Sequence, residues 1–98
     1  MDLILFEQHY FYKMCLLRMT IECKSKKLDE TKNMLNEYLK INLKYENNRN
    51  CKFLQNIILT VETNNIDKFK ELIFKHDCLV KIPKDEYKLL CMIKETFN

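Results

Sequence analysis

The side chains best suited to chemistry are few. His9 and His76 are the only histidines, and the cysteines are Cys15, Cys23, Cys51, Cys78 and Cys91. A metal site needs several His, Cys or carboxylate groups that converge. Five cysteines is an odd number with no C-x-x-C spacing, so a disulfide framework or a zinc site would leave a thiol over. The simpler reading is a reducing cytosol in which Cys packs as a small apolar side chain. His76-Asp77-Cys78 places an imidazole beside a thiol it could activate. However, three consecutive residues at a helix end point in different directions. The sequence contains no H-E-x-x-H, no G-x-S-x-G and no paired-carboxylate setting. It therefore predicts no enzyme, no metal and no cofactor.

Two further clusters have a bland reading and a functional one. Lys24, Lys26 and Lys27 form a basic run that reads as a solvated connector, and otherwise as a lean toward anionic lipid. Phe6, Tyr10, Phe11 and Tyr12 could stack on bases. No basic stripe interleaves them, so they read as core. The net charge of +3 is too mild to imply nucleic acid.

The elements that must carry these residues are helices. The chain has 98 residues, enough for one small domain with a thin core. It contains no Gly and one Pro. Sandwiches, parallel sheets and phosphate loops need tight turns with positive φ, which Gly usually supplies. Their absence predicts an all-α chain and removes the nucleotide-binding loops. No apolar stretch approaches the ~18 residues of a transmembrane helix. Leu3 to Phe6, flanked by Asp2 and Glu7, has no basic region before it and is not a signal peptide.

Apolar periodicity predicts five helices. The first runs from about Asp2 to Cys23. One face is Leu3, Phe6, Tyr10, Met14, Leu17 and Ile21, and a second line is Phe11, Cys15, Met19 and Cys23. A helix apolar on two faces is usually sandwiched, so a preceding helix should cover one of them. The second helix covers about Leu28 to Leu43, with Leu28, Thr31, Leu35, Tyr38, Ile41 and Tyr45 inward. Asp29 and Glu30 sit in its first turn, where negative charge suits the helix dipole. Tyr45 to Asn50 reads as a polar loop with Asn47, Asn48 and Asn50 as turn and cap residues.

The third helix spans about Asn50 to Thr63, with Phe53, Leu54, Ile57, Ile58 and Val61 inward. Asn64 or Asn65 caps the fourth, from Ile66 to about Lys75, with Ile66, Phe69, Leu72 and Ile73 inward. On its polar side, Asp67 to Glu71 is a like-charge spacing that offers no ion pair. Pro83 fits the first position of the fifth helix, followed by Asp85 and Glu86, with apolar surface from Tyr87, Leu90, Cys91, Met92, Ile93 and Phe97. Short connections imply antiparallel helix pairs, the unit of an α-solenoid. From the residues alone the chain reads as a helical-pair module, a scaffold or an adaptor.

From Arg49 onward the sequence resembles the C-terminal domain of the soluble NSF attachment proteins, of the α/β-SNAP type. Arg49-Asn50-Cys51-Lys52-Phe53-Leu54 resembles the family's R-E-C/Y-K-hydrophobic pair. Asn64-Asn65-Ile66-Asp67-Lys68-Phe69 is similar to Q-N-V-D-S-Y. Lys75-His76-Asp77 is similar to its K-E-Y/F-D region, and Leu89-Leu90-Cys91-Met92-Ile93-Lys94 to its terminal L-L-L-R-I-K helix. Earlier, Tyr10-Phe11-Tyr12-Lys13 resembles Y-F-F-K, and Asn36-Glu37-Tyr38 stands where the family has Q-K-Y. The resemblance covers most of the chain, with a gap of about five residues near Cys23 to Glu30.

The resemblance implies a twisted stack of helix pairs, similar to TPR repeats, closing in a small helical bundle, with residues 1–98 as the C-terminal third of a longer protein. It implies a non-enzymatic adaptor of vesicle trafficking that binds the SNARE complex and recruits the hexameric AAA ATPase NSF to disassemble it. Such a protein would be cytoplasmic and peripheral on secretory-pathway membranes through its SNAREs. By position, Glu22 and Glu62 match acidic residues that face NSF, while Leu59 and Thr63 replace two others. Arg49 matches a basic residue that faces the SNARE bundle. Two departures stand out. Asp85 replaces a Trp, so packing there must differ, and the sequence stops at Phe97-Asn98 without the family's acidic tail and near-terminal Leu. The rival readings are an unrelated TPR-like module that binds a peptide, and a small regulatory subunit complete at this length.

Overall fold

The computed structural model describes residues 3–98, and the expected helix start at Asp2 lies outside them. The fold is all-α. The helices are α1 (Leu3–Glu22), α2 (Asp29–Ile41), α3 (Arg49–Glu62), α4 (Ile66–Leu79) and α5 (Lys84–Lys94), with 3-10 turns at Cys23–Ser25 and Leu43–Asn47. α1 packs against α2, α3 and α5, and α4 packs on α3. One core joins them, built from Tyr12, Leu16 and Met19 of α1, Leu35 of α2, Leu54, Ile57 and Val61 of α3, Phe69 of α4, and Leu90 and Ile93 of α5.

Of the two apolar lines on α1, the second is the buried one. Cys15, Met19 and Cys23 are buried, joined by Tyr12, which the sequence reads as core, and by Leu16, which it did not place inside, whereas Phe6 and Tyr10, also read as core, are exposed. The first line, Leu3 through Ile21, is exposed. Phe11 is half-buried and stacks on Tyr38 at 3.9 Å between centroids, with Tyr45 packed edge-on against both rings. Cys15, Cys23 and Cys51 fill core space as small apolar groups, whereas Cys78 is exposed.

Several boundaries differ from expectation for identifiable reasons. α2 ends at Ile41 rather than Leu43, because the Asn42 side chain donates to Tyr38 O at 3.1 Å and the chain tightens into a 3-10 turn. Ile41 is consequently 83% exposed, not inward. Tyr45, in the middle of that 3-10 turn, is buried, so the segment is not a free polar loop. Arg49 is the first residue of α3 and not part of a loop, since Asn48 Oδ1 accepts the Asn50 amide at 2.8 Å and caps the helix one residue earlier. Asn65 does the same for α4, accepting the Lys68 amide.

α4 runs one turn beyond Lys75. Glu71, expected to be unpaired, sits between Lys75 at 2.7 Å and Lys68 at 3.5 Å. Pro83 is the cap of α5 rather than its first residue, with extended ψ and its carbonyl accepting the Tyr87 amide. A glycine-free chain still needs left-handed backbone at two turns, and it uses Asn64 (φ 54°) and Lys26 (φ 61°). Asn tolerates that region. Lys26 is held there with its ammonium 2.7 Å from Thr96 O and 4.4 Å above the Phe97 ring.

Candidate functional site

Glu22, Glu62 and Arg49 fall into two places in the fold. Glu22 ends α1 and Glu62 ends α3, and both carboxylates meet the N-terminus of α2. The residue before that helix is Leu28, which has no oxygen to cap it. The orphan amides are satisfied from outside. Glu22 accepts from Glu30 N at 3.0 Å, from Thr31 N at 2.9 Å and from Thr31 Oγ1 at 2.8 Å. Glu62 Oε2 accepts Leu28 N at 3.3 Å and pairs with Lys32 at 2.8 Å, a contact that holds the Lys32 ammonium above its ordinary pKa. Two carboxylates at a helix N-terminus also suit its dipole. The Glu22 side chain is 12% exposed and that of Glu62 24%. Asp29 and Glu30 lie exposed beside them, and Arg18, 3.7 Å from Glu22, and Lys32, which also reaches Asp29 at 3.9 Å, set two cations among these four carboxylates.

Arg49 lies elsewhere, at the mouth of a pocket of about 360 Å³. The pocket forms where the N-terminus of α3, the end of α4, the connection into α5 and His9 of α1 meet. It brings together both histidines. His76 stacks on Phe53 with centroids 4.0 Å apart, and burial, with Arg49 nearby, pushes its pKa down. His9 Nε2 stands 3.7 Å from Glu86 Oε2. Glu86 is buried, and burial pushes its carboxyl up. One turn along α1, Lys13 pairs with Asp85 at 2.5 Å, so the Asp that resembles a replaced Trp serves as a surface tie between α1 and α5.

His76, Asp77 and Cys78 do not converge. Asp77 Oδ1 accepts the Ile82 amide at 2.9 Å and closes the α4–α5 turn, while Cys78 faces solvent. Among the described residues, no group of three or more His, Cys, Asp or Glu could hold a metal ion, and no helix is long and apolar enough to cross a membrane.

The sequence model of the soluble NSF attachment protein family, SNAP, matches residues 6–98. The chain belongs to the SNAP family. No curated protein and no solved structure matches it significantly. The matched span takes in all three residues singled out by position. SNAP proteins are trafficking adaptors without enzymatic activity.

The sequence reading missed Glu86, which it treated as a first-turn surface charge. A sequence signal was available. Glu86 lies four residues before Leu90 and seven before Ile93, on the face that α5 buries. The capping role of Glu22 and Glu62 had no local signal, because the amides that Glu22 accepts lie eight and nine residues further on and Glu62 is separated from α2 by the whole of α3.

Proposed function

We propose that this SNAP-family chain is the C-terminal helical domain, residues 1–98, of a longer SNAP-like adaptor. It binds the assembled SNARE bundle and brings an NSF-type hexameric ATPase to it for disassembly. The observation that carries the reading is the family match across residues 6–98 of a chain whose described residues form only helices and turns. In this account the chain works in the cytoplasm, on secretory-pathway membranes it reaches through SNAREs, and it performs no catalysis. The exposed apolar face of α1, with Phe6, Tyr10, Leu17 and Ile21, is the surface a preceding helix would cover.

Arg49 is the proposed SNARE-facing residue. It is exposed and makes no ion pair among the described residues, so its guanidinium is available to grip a carboxylate with two hydrogen bonds. Glu22 and Glu62 are the proposed ATPase-facing residues. Their support is the grouping of four carboxylates, with Asp29 and Glu30, around the start of α2, where Arg18 and Lys32 offset part of the charge. Such charge complementarity governs encounter and orientation more than affinity.

The test is recovery of a preassembled SNARE bundle on immobilised protein carrying Arg49→Glu. Recovery should fall several-fold, by about 1 kcal/mol or more, while the melting temperature stays within about 2 °C. Unchanged recovery removes Arg49 from the interface. A sharp drop in melting temperature makes it structural.

A further inference from the structure

α4 packs on α3 and α5 packs on α1, and their short connection makes α4 and α5 an antiparallel pair with a groove open between them. The groove has two lobes, of about 210 Å³ and 340 Å³, which share Asp77 and Tyr87. Its lining is mainly apolar. Leu90 and Ile82 are buried at its base, whereas Phe74 and Tyr87 stand 70% and 49% exposed on its walls. Exposed rings grouped in a concavity mark a contact surface, unlike single apolar residues scattered over a protein.

The charge around the groove is one-sided. Lys70 and Lys94 line the first lobe, and Lys81 and Lys84 the second, beside the α4–α5 connection. All four are exposed, and none of their ammonium groups makes an ion pair or hydrogen bond among the described residues. Elsewhere on α4 the lysines are taken up, since Lys68 and Lys75 both pair with Glu71. The one carboxylate in the lining is Asp77, whose Oδ1 already accepts the Ile82 amide. Four free cations beside one engaged carboxylate complement an acidic occupant. Shape then selects among acidic partners. A bilayer surface is flat, and would touch Phe74 and the lysines while leaving Leu90 and Ile82 uncovered. A helix fills the trough between two others. From Lys70 to Leu79, α4 advances by roughly 14 Å, and the connection with Lys81 extends the groove to about three helical turns.

We propose that the α4–α5 groove docks an acidic amphipathic helix of a partner protein, its apolar stripe on Phe74, Tyr87 and Leu90 and the carboxylates of its first and last turns on the two lysine pairs. The groove shares only Lys81 and Ile82 with the pocket beside Arg49. It requires neither SNAREs nor an ATPase.

The test is fluorescence anisotropy of a labelled peptide titrated with the whole chain. The peptide has about fourteen residues, with Leu at three- and four-residue spacing, Glu in the first and last turns and Gln elsewhere. A second peptide carries Lys in place of every Glu. The acidic peptide should bind saturably at low salt, roughly tenfold tighter than the basic one, and weaken as salt is raised. Phe74→Ser, and separately Lys70→Glu with Lys94→Glu, change exposed side chains. Each should lower the affinity by roughly fivefold or more while the circular dichroism spectrum stays that of the parent. Arg49→Glu should leave the affinity within about twofold, which separates this groove from the proposed SNARE contact. Amide shifts on peptide addition should centre on Ile73, Tyr87 and Cys91. The inference is overturned if the acidic peptide fails to saturate below about 1 mM, binds no better than the basic one, or keeps its affinity in both variants. Shifts that fall on the exposed face of α1 instead also overturn it. Sedimentation of the chain with phosphatidylserine vesicles, without peptide binding, assigns the groove to a membrane and overturns it as well.

Discussion

Glu22 and Thr31 are joined by a two-point contact in which one carboxylate oxygen accepts both the amide of Thr31 at 2.9 Å and its hydroxyl at 2.8 Å. Thr31 is fully buried, so neither donor has water as an alternative. The contact ties the end of α1 to the first turn of α2 and stands in for the cap that Leu28 cannot provide. A residue singled out as an interaction charge therefore also holds two helices together.

Glu22→Ala should consequently destabilise the chain by about 2 kcal/mol, because it leaves buried donors without an acceptor. Glu62→Ala should cost less, about 1 kcal/mol, since its bond to Leu28 N is longer, at 3.3 Å, and its other partner, Lys32, is an exposed cation. Urea unfolding followed by circular dichroism measures both. Equal small effects would mean that α2 does not depend on these caps.

A consequence for binding experiments follows. Reversal of Glu22 to Lys mixes lost charge with lost capping. Glu22→Gln keeps an oxygen for the Thr31 amide and removes the charge. If the corner meets the ATPase, Glu22→Gln together with Glu62→Gln should weaken binding of the ATPase N-terminal domain at low salt, with the difference shrinking as salt is raised. Equal binding of parent and double variant at low salt would leave these carboxylates with their structural role alone.

Glu86 makes a prediction about pH. Its carboxyl is raised by burial, with Asp85 adding to the effect and His9 and Lys13 opposing it. A carboxyl raised in the folded state favours folding when protonated. Its contribution is fully present below the ordinary Glu value and is lost as pH rises through the raised one. Glu86→Gln removes that dependence. The parent should therefore lose stability relative to Glu86→Gln as pH rises from about 4 to 7. Lys13 and Asp85, paired alongside, stay charged across most of that window in both proteins, because each holds the other's charged form. Parallel urea midpoints across the range would contradict the assignment.

Tyr12 and Tyr45 bury their hydroxyls without a hydrogen-bond partner, and burial pushes both phenols well above their ordinary range. Tyr12→Phe and Tyr45→Phe should each be neutral or stabilising by up to about 1 kcal/mol, since each removes an unpaired buried polar group. Truncation to Ala should cost about 3–5 kcal/mol by opening a cavity. A loss above about 1 kcal/mol in either Phe variant would show that the hydroxyl is satisfied, for example by internal water.

The helices were legible because their signals are local. The absence of Gly excluded most sheet architectures, and the inward residues of α3 at three- and four-residue spacing are all buried. What sequence could not decide was which of α1's two apolar lines faces the core. Both satisfy a helical period, and the choice depends on where α2, α3 and α5 sit. The site was legible only by position. The pairing of Glu22 and Glu62 at one helix end, and of Arg49 with His9, His76 and Glu86 at one pocket, arises from contacts between residues distant in sequence. No periodicity records such contacts.

The central claim is that this chain couples SNARE bundles to an NSF-type ATPase. It is tested most directly by co-sedimentation of that ATPase with a bead-bound, preassembled SNARE bundle, at low salt, with and without the chain. The account predicts that the ATPase is retained only when the chain is present, and that Arg49→Glu lowers the amount of both chain and ATPase recovered. Retention that is the same with and without the chain, while the chain itself remains folded by circular dichroism, would contradict it.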